Sequence, residues 1–132
     1  MLENMPRIRF RSELGKPLVV SETGAGALSG LRAPEEELVT FSEDYQALVY
    51  RKQIEMLSQQ ESLAGVSPWI LKDFRSPLRL HQGVQDYWNL KGLLAEDGTK
   101  KEASLYCAIG IGIDQAGLMQ VELDWKFWSR IK

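Results

Sequence analysis

The sequence contains few of the residues that build metal centres and disulfides. It has one cysteine, Cys107, and one histidine, His81, among 132 residues. One cysteine cannot form an intramolecular disulfide, and one cysteine with one histidine does not make a zinc-type ligand cluster. We therefore predict no metal site and no cofactor. We also predict that His81 is exposed in a loop and that Cys107 is a buried or unstructured free thiol.

The sequence also lacks an excess of charge of either sign and a long apolar run. Its 16 basic and 18 acidic residues give a formal net charge of −2, which does not favour a nucleic-acid partner. No apolar run approaches the ~20 residues that span a bilayer, and the first residues, MLENMPRIRFRSEL, lack the apolar core of a secretory signal. We predict a soluble chain with no membrane partner, and we leave the compartment of its parent protein, cytoplasm or periplasm, open.

Two apolar runs separated by a helix-forming segment indicate a βαβ unit. Residues 16–22, KPLVVSE, form an apolar run that a glycine-rich segment stops, which predicts a buried strand followed by a loop. Thr40 and Glu43 have the spacing of a capping box, and residues 42–59 favour a helix throughout. Residues 63–74, LAGVSPWILKDF, predict a second buried strand. The two strands should be parallel because a helix connects them.

The predicted helix has apolar residues on two sides, so it requires surrounding protein on both. Two wholly buried strands also require neighbouring strands at both edges and helices on both faces. The chain supplies few of these elements. We therefore predict that it is part of a larger α/β structure and incomplete on its own. The two sides of the helix consist of Tyr45, Leu48, Val49 and Met56, and of Ala47, Tyr50, Ile54 and Leu57.

The second half of the chain gives weaker signals. Residues 75–98 are rich in glycine and turn residues and are predicted to be loop-like, whereas TKKEAS at residues 99–104 predicts the start of a helix. After Ser104 the segment YCAIGIGIDQAGLM is broken by glycines, and VELDWKFW alternates like an exposed strand.

Glu22 is the first candidate for chemistry, because it lies at the carboxyl end of a predicted parallel strand and before a glycine-rich loop. Catalytic groups of α/β barrels occupy this position. The position by itself also fits a carboxylate that caps a helix or pairs with an arginine.

Four segments resemble, in order and spacing, the last third of the catalytic barrel of glycoside hydrolase family 2, most like a bacterial β-glucuronidase. They are KPLVVSETGAGAL, FSEDYQALVYRKQIEML, GVSPWILKDFRSP and GVQDYWNLKGLLAEDGTKKEA. The resemblance runs from about Pro6 to Ala103, roughly three-quarters of the chain. It implies an α/β fold that is the C-terminal portion of a (β/α)8 TIM barrel, about its last two βα units. It also implies a barrel fragment over residues 1–104 and a divergent tail over residues 105–132.

In the family, the glutamate of the S-E-x-G-A segment is the catalytic nucleophile, and the resemblance gives this role to Glu22. A retaining glycosidase needs an ionised carboxylate to trap the anomeric centre and a protonated carboxyl about 5–5.5 Å away. The family takes that acid/base from an Asn-Glu pair on an earlier strand. No such pair is present here, so we expect the isolated chain to be inactive.

The resemblance also implies sugar contacts after the second strand. Trp69 would lie against the sugar ring, although a core position fits it equally well. Arg75 is a candidate substrate contact, with an ion pair to Asp73 as the alternative that we favour.

Asn89-Leu90-Lys91 matches the Asn-x-Lys pattern that separates β-glucuronidases from β-galactosidases and β-mannosidases of the family. An amide and an ammonium that point to the same side would clamp a sugar carboxylate. The alternative is a solvated loop lysine.

The function predicted from these residues is a retaining β-glycosidase that hydrolyses terminal β-linked sugars, with β-D-glucuronides as its substrate and Glu22 as its nucleophile. Two alternatives remain: a non-catalytic fragment or interaction piece, and a parent with β-galactosidase or β-mannosidase specificity. A carbohydrate is the predicted partner, and a homo-oligomeric parent is compatible with the sequence.

Overall fold

The computed structural model describes residues 2–110, which form a mixed α/β structure. The bulk of it is a two-stranded parallel sheet, a helix that connects the strands, and a polar segment that returns to a second helix. No helix of the described part is long and apolar enough to cross a membrane. The elements are β1 (Leu18–Thr23), α1 (Glu43–Leu57), β2 (Leu63–Pro68), β3 (Phe74–Arg75), β4 (Trp88–Asn89) and α2 (Ala103–Gly110), with 3₁₀ turns at Leu2–Arg7 and Glu35–Glu37.

The predicted βαβ unit is confirmed, because β1 and β2 pair in parallel across α1. The second strand is shorter than predicted and ends at Pro68. The reason is a change of hydrogen-bond partner: Trp69 N still donates to Thr23 O at 2.7 Å, whereas Ile70 N donates to Lys91 O at 3.1 Å. The apolar letters of residues 69–71 therefore belong to a connection and not to the β1–β2 ladder.

Helix α1 begins one residue later than predicted and is capped differently. Ser42 is the N-cap, and its hydroxyl accepts from Tyr45 N at 3.0 Å. The predicted capping box of Thr40 and Glu43 is wrong. The Glu43 carboxylate instead accepts from Gly30 N at 2.7 Å and from Glu102 N at 2.8 Å, so it ties the helix start to two distant segments.

The helix is buried on both predicted sides, with Leu48, Val49 and Met56 on one and Ala47, Tyr50, Ile54 and Leu57 on the other. Among the helical elements, it packs mainly against α2 and the first 3₁₀ turn. The strands are less buried than predicted, since Val19 is 69% exposed. The central cluster consists of Ala47, Tyr50, Leu93, Ala103 and Cys107.

The segment between β2 and α2 is mostly loop, as predicted, with the short β3–β4 pair inside it. The helix predicted at TKKEAS is present as α2, which continues to Gly110 and therefore crosses the proposed boundary at residue 104. The predicted strand at VELDWKFW and the rest of the tail, residues 111–132, lie outside the described residues. The division into 1–104 and 105–132 stays a prediction.

Candidate active site

Glu22 is the penultimate residue of β1, so the strand delivers its carboxylate to the carboxyl end of the parallel pair. The residue is exposed, and no hydrogen bond or ion pair to its carboxylate is found within residues 2–110. The alternative that Glu22 caps a helix or pairs with an arginine therefore finds no support among those residues.

Trp69 follows directly after β2 and lies beside the end of β1, because its backbone N–H donates to the carbonyl of Thr23, the neighbour of Glu22. The side chain is half-buried, and its contact with a sugar ring stays a prediction. The peptide bond between Trp69 and Ile70 is cis. Gly24 permits this close approach, since a Cβ at this position would meet Trp69 O at 2.6 Å and the Tyr50 hydroxyl at 2.6 Å.

Tyr50 of α1 contacts the same end of β1. Its hydroxyl lies 3.5 Å from Thr23 O, and burial raises the pKa of this phenol far above its ordinary value of 10.0. Tyr50 therefore stays neutral and can donate to the carbonyl beside Glu22. The sequence indicated only an apolar residue of the predicted helix at this position.

Asn89 and Lys91 lie next to this strand end through a second set of backbone hydrogen bonds. Ile70 N donates to Lys91 O at 3.1 Å, and Leu93 N returns to Ile70 O at 2.9 Å. Glu22, Trp69 and Lys91 are thus linked through successive hydrogen-bonded neighbours. That these candidates form one sugar site stays a prediction.

The Asn89 side chain has a function that the sequence did not indicate. It is 3% exposed, and its Oδ1 accepts from Lys91 N at 3.1 Å. The amide oxygen thereby shapes the turn into Lys91. No hydrogen bond from Asn89 Nδ2 is found in the part of the chain that the structure describes.

Arg75 lies near this segment but does not pair with Asp73, so the favoured ion-pair alternative is wrong. The guanidinium carbon lies 4.4 Å from the ring centroid of Trp88, a cation–π arrangement. β3 and β4 bring the two side chains together, because Arg75 pairs with Trp88 in their ladder. Arg75 is exposed, and a role in substrate binding stays a prediction.

Asp73 instead forms a buried ion pair that the sequence analysis missed. Its Oδ2 lies 2.7 Å from Lys101 Nζ, and the two side chains are 4% and 0% exposed. Burial lowers the pKa of Lys101 and raises that of Asp73, because both charges lose water, and each partner acts against that shift. No local sequence feature distinguishes Lys101 from its exposed neighbour Lys100. The burial of Lys101 is therefore visible only in the tertiary structure.

Gln46 of α1 completes the buried polar contacts. Its Nε2 donates to Ala25 O at 2.8 Å and to Gly92 O at 3.1 Å, and the side chain is fully buried. It therefore connects the loop after Glu22 with the segment after Lys91. Within residues 2–110 no group of three or more His, Cys, Asp or Glu residues could hold a metal ion.

Comparison with known proteins gives relatives through structure. No family model and no curated protein matches the chain. A β-galacturonidase of glycoside hydrolase family 2 from Eisenbergiella tayi, bound to galacturonate, matches with 29% identity and a TM-score of 0.64, over 72% of this chain and 17% of that one. A β-glucuronidase from Bifidobacterium dentium, complexed with coumarin-3-O-glucuronide, matches with 26% identity and a TM-score of 0.62, over 75% of this chain and 15% of that one.

A third match supports the fold alone. The β-D-glucuronidase of Dictyoglomus thermophilum is 19% identical with a TM-score of 0.67, over 92% of this chain and 21% of its own length. The chain thus spans about a fifth or less of these solved enzymes. Its α/β structure corresponds to a partial region of large family 2 enzymes. The chain is thus similar, over part of their length, to a family 2 β-galacturonidase and to β-glucuronidases.

Proposed function

We propose that this chain supplies the nucleophile and part of the sugar site of a retaining β-glycosidase whose substrates are terminal β-D-glucuronides. One observation carries the proposal. Glu22 lies at the carboxyl end of a parallel strand pair, with no partner for its carboxylate within residues 2–110, and backbone hydrogen bonds connect its neighbour Thr23 to Trp69 and Ile70 to Lys91. The family relationship adds support, because the solved relatives are named as glycosidases of uronic acids.

The proposed architecture is the last two βα units of a (β/α)8 barrel, carried by residues 1–104. The parallel β1–α1–β2 unit has the form of one such unit, and the candidate residues lie at the strand ends where barrels carry their chemistry. The exposed face of Val19 supports the view that further strands cover this sheet in the complete enzyme.

In the proposed reaction, a Glu22 carboxylate oxygen attacks the anomeric carbon while the bond from that carbon to the leaving oxygen breaks. A second carboxyl, about 5–5.5 Å from the nucleophile, transfers its proton to the leaving oxygen and then removes a proton from the water that hydrolyses the glycosyl-enzyme. The resemblance places this acid/base on an earlier strand, outside the segments that match here. We therefore propose that the isolated chain does not turn over substrate.

Substrate selection is assigned to Asn89 and Lys91. The Lys91 ammonium has no hydrogen bond or ion pair among the described residues, and the Asn89 amide keeps its N–H donors. A charge and two directed donors suit the carboxylate of a uronic acid, whereas the neutral hydroxymethyl group of a galactoside or mannoside does not use the charge. Arg75 and Trp69 are proposed as further contacts with substrate.

The second candidate function is a non-catalytic interaction piece. The observation that favours it is the exposed sheet: β1 pairs only with β2 in the described residues, and an open edge can pair with another chain. The acid/base missing from the matched segments favours it as well.

Fragment complementation tests the proposal. The chain is co-expressed with the upstream part of a family 2 β-glucuronidase that ends before its nucleophile strand, and chromogenic β-glucuronide, β-galacturonide and β-galactoside are supplied. We expect hydrolysis of the glucuronide, with the β-anomer as the first product. The variant Glu22→Gln should lower kcat by at least about 10³-fold, because the nucleophile is lost.

Glu61→Gln is the matched control. Glu61 is an exposed carboxylate just before β2, at the opposite end of the sheet, and its replacement should leave kcat unchanged. Retained activity in Glu22→Gln, or an α-anomer as first product, would contradict the proposal. Absence of hydrolysis of all three glycosides by the complemented wild type would favour the interaction piece.

A further inference from the structure

The backbone around Lys91 is held at successive polar groups. Lys91 N donates to Asn89 Oδ1, and Lys91 O accepts from Ile70 N, both at 3.1 Å. One residue earlier, Leu90 O accepts from Ala27 N at 2.9 Å and from the Lys101 side chain at 3.1 Å. These hydrogen bonds hold the backbone of Leu90 and Lys91, and they therefore restrict the direction in which the Lys91 side chain can point.

Lys101 joins two functional segments through one ammonium group. Its Nζ donates to Ala27 O at 2.6 Å, in the loop that follows Glu22, and to Leu90 O at 3.1 Å. The same atom lies 2.7 Å and 2.9 Å from the two oxygens of Asp73. The loop after the proposed nucleophile and the segment of the proposed clamp therefore share one anchoring charge.

Asp73 holds the other side of Lys91. Its Oδ1 accepts from Gly92 N at 2.8 Å. The ion pair therefore binds the backbone on both sides of Lys91: Lys101 donates to the Leu90 carbonyl, and Asp73 accepts from the Gly92 amide. Glycine is required at position 92, because a Cβ there would overlap the Asp73 backbone and carboxylate and the Leu94 carbonyl. The close approach of Asp73 and Gly92 is part of the arrangement.

A buried ion pair often stabilises a fold no more than apolar side chains would. Apolar residues of similar volume often give equal or higher stability, because they avoid the loss of charge hydration. A methionine would fill the Lys101 site but would donate to neither carbonyl. What the lysine adds is directed hydrogen bonds to Ala27 and Leu90.

We infer that Lys101, held by Asp73, is a positioning residue that sets the orientation of the Asn89–Lys91 uronate clamp relative to the loop after Glu22. This role rests on the proposed function, since the clamp itself belongs to that proposal. Lys101 does not touch substrate. It acts through the backbone on both sides of Lys91.

The test compares Lys101→Met with the matched control Lys100→Met in the full ¹⁵N-labelled chain. Lys100 is exposed and precedes Lys101 directly, so both variants remove one lysine charge from the same segment. The first readout is amide hydrogen exchange at Lys91 and Gly92, with Leu48 in α1 as the internal reference. The second readout is the Kd for D-glucuronate, with methyl β-D-glucoside as the uncharged probe.

We expect Lys101→Met to raise exchange at Lys91 and Gly92 by about tenfold or more over Lys100→Met while Leu48 is unchanged, because a charged hydrogen bond is lost locally. The Kd for D-glucuronate should rise by a similar factor. Equal exchange at Lys91 and Gly92 in both variants would overturn the inference. Faster exchange with an unchanged Kd would overturn it as well.

The two proposals can fail separately. If the wild-type chain binds no D-glucuronate but Lys101→Met still loosens Lys91 and Gly92, the proposed uronate specificity is rejected and the positioning of the backbone is supported. If Lys101→Met does not fold, Asp73→Asn replaces it, since asparagine keeps an acceptor for Gly92 N but removes the charge. In the wild type itself, exchange at Gly92 as fast as in an exposed loop would overturn the inference without any variant.

Discussion

Two regions meet at the proposed sugar site and are held in different ways. Glu22 lies on β1, which pairs only with β2 within the described residues. This strand pair leaves Val19 69% exposed. The returning segment with Asn89 and Lys91 is held by the side chains of Gln46 and Lys101, which are both buried. The proposed nucleophile thus lies on a partly exposed sheet, whereas the proposed recognition segment is held by buried hydrogen bonds.

This difference separates two requirements of a glycosidase. A nucleophile needs access to the anomeric carbon, and a strand end provides it without local partners for the carboxylate. Recognition of a sugar carboxylate needs a backbone that holds its orientation, which requires hydrogen bonds that do not exchange with water. In the proposed site, the buried hydrogen bonds of Gln46, Asp73 and Lys101 meet the second requirement.

The largest expected change in stability comes from breaking the Asp73–Lys101 ion pair. We call the segment with Asn89 and Lys91, together with the buried side chains that hold it, the anchored region. Asp73→Ala leaves the Lys101 charge buried and uncompensated, so we expect a loss of about 3–5 kcal/mol in the free energy of unfolding. Denaturation by urea measures it. Glu96→Ala, an exposed carboxylate of the same segment, is the control and should change the free energy by less than about 0.5 kcal/mol. Equal effects of the two variants would show that the anchor contributes nothing.

A smaller effect is expected from alkali, again in the anchored region. Burial raises the pKa of the Cys107 thiol from 9.0 to about 12, so between these values the unfolded chain ionises while the folded chain does not. The unfolded state then binds fewer protons. The contribution is fully present below pH 9, and the free energy of unfolding falls above it by up to about 1.4 kcal/mol per pH unit.

Urea denaturation between pH 8 and 11 checks this slope. Cys107→Ala should flatten it, because alanine does not titrate. Tyr50, whose pKa is also raised by burial, acts in the same direction above pH 10.0, so some slope should remain. Identical slopes for the wild type and Cys107→Ala would contradict the prediction.

The smallest effect is expected in the strand pair. Val19→Thr keeps a β-branched side chain on an exposed face, so the free energy of unfolding should change by less than about 0.5 kcal/mol. It should also weaken self-association, since the exposed apolar face is made more polar.

Val49→Thr makes the same change at a residue of α1 that is 5% exposed, and it should lower the free energy of unfolding by about 1–3 kcal/mol. Urea denaturation and sedimentation velocity measure the two properties, and a larger loss from Val19→Thr than from Val49→Thr would reverse the comparison.

The local elements were largely predictable. Residues 42–59 gave α1 to within two residues at each end, because helix propensity and capping groups are local signals. The β1–α1–β2 order followed from the two apolar runs. The N-cap was assigned to Thr40 instead of Ser42, since both residue types cap well and the sequence does not say where the turn begins.

The partners of charged side chains were not predictable in the same way. Asp73 was expected to pair with Arg75, two residues away, but Arg75 lies over Trp88 and Asp73 binds Lys101, 28 residues away. A sequence pattern cannot identify such a partner, because long-range pairing depends on which loops meet after the strands and helices have packed.

The sequence by itself determined the βαβ order, the strand-end position of Glu22, and the Asn89-x-Lys91 pattern, because each depends on neighbouring residues and on backbone periodicity. Only the tertiary structure decided which polar groups became buried together. The Lys101 ammonium contacts residues 11, 28 and 74 positions away along the chain. A charge can remain there only because several distant segments satisfy its hydrogen bonds at once.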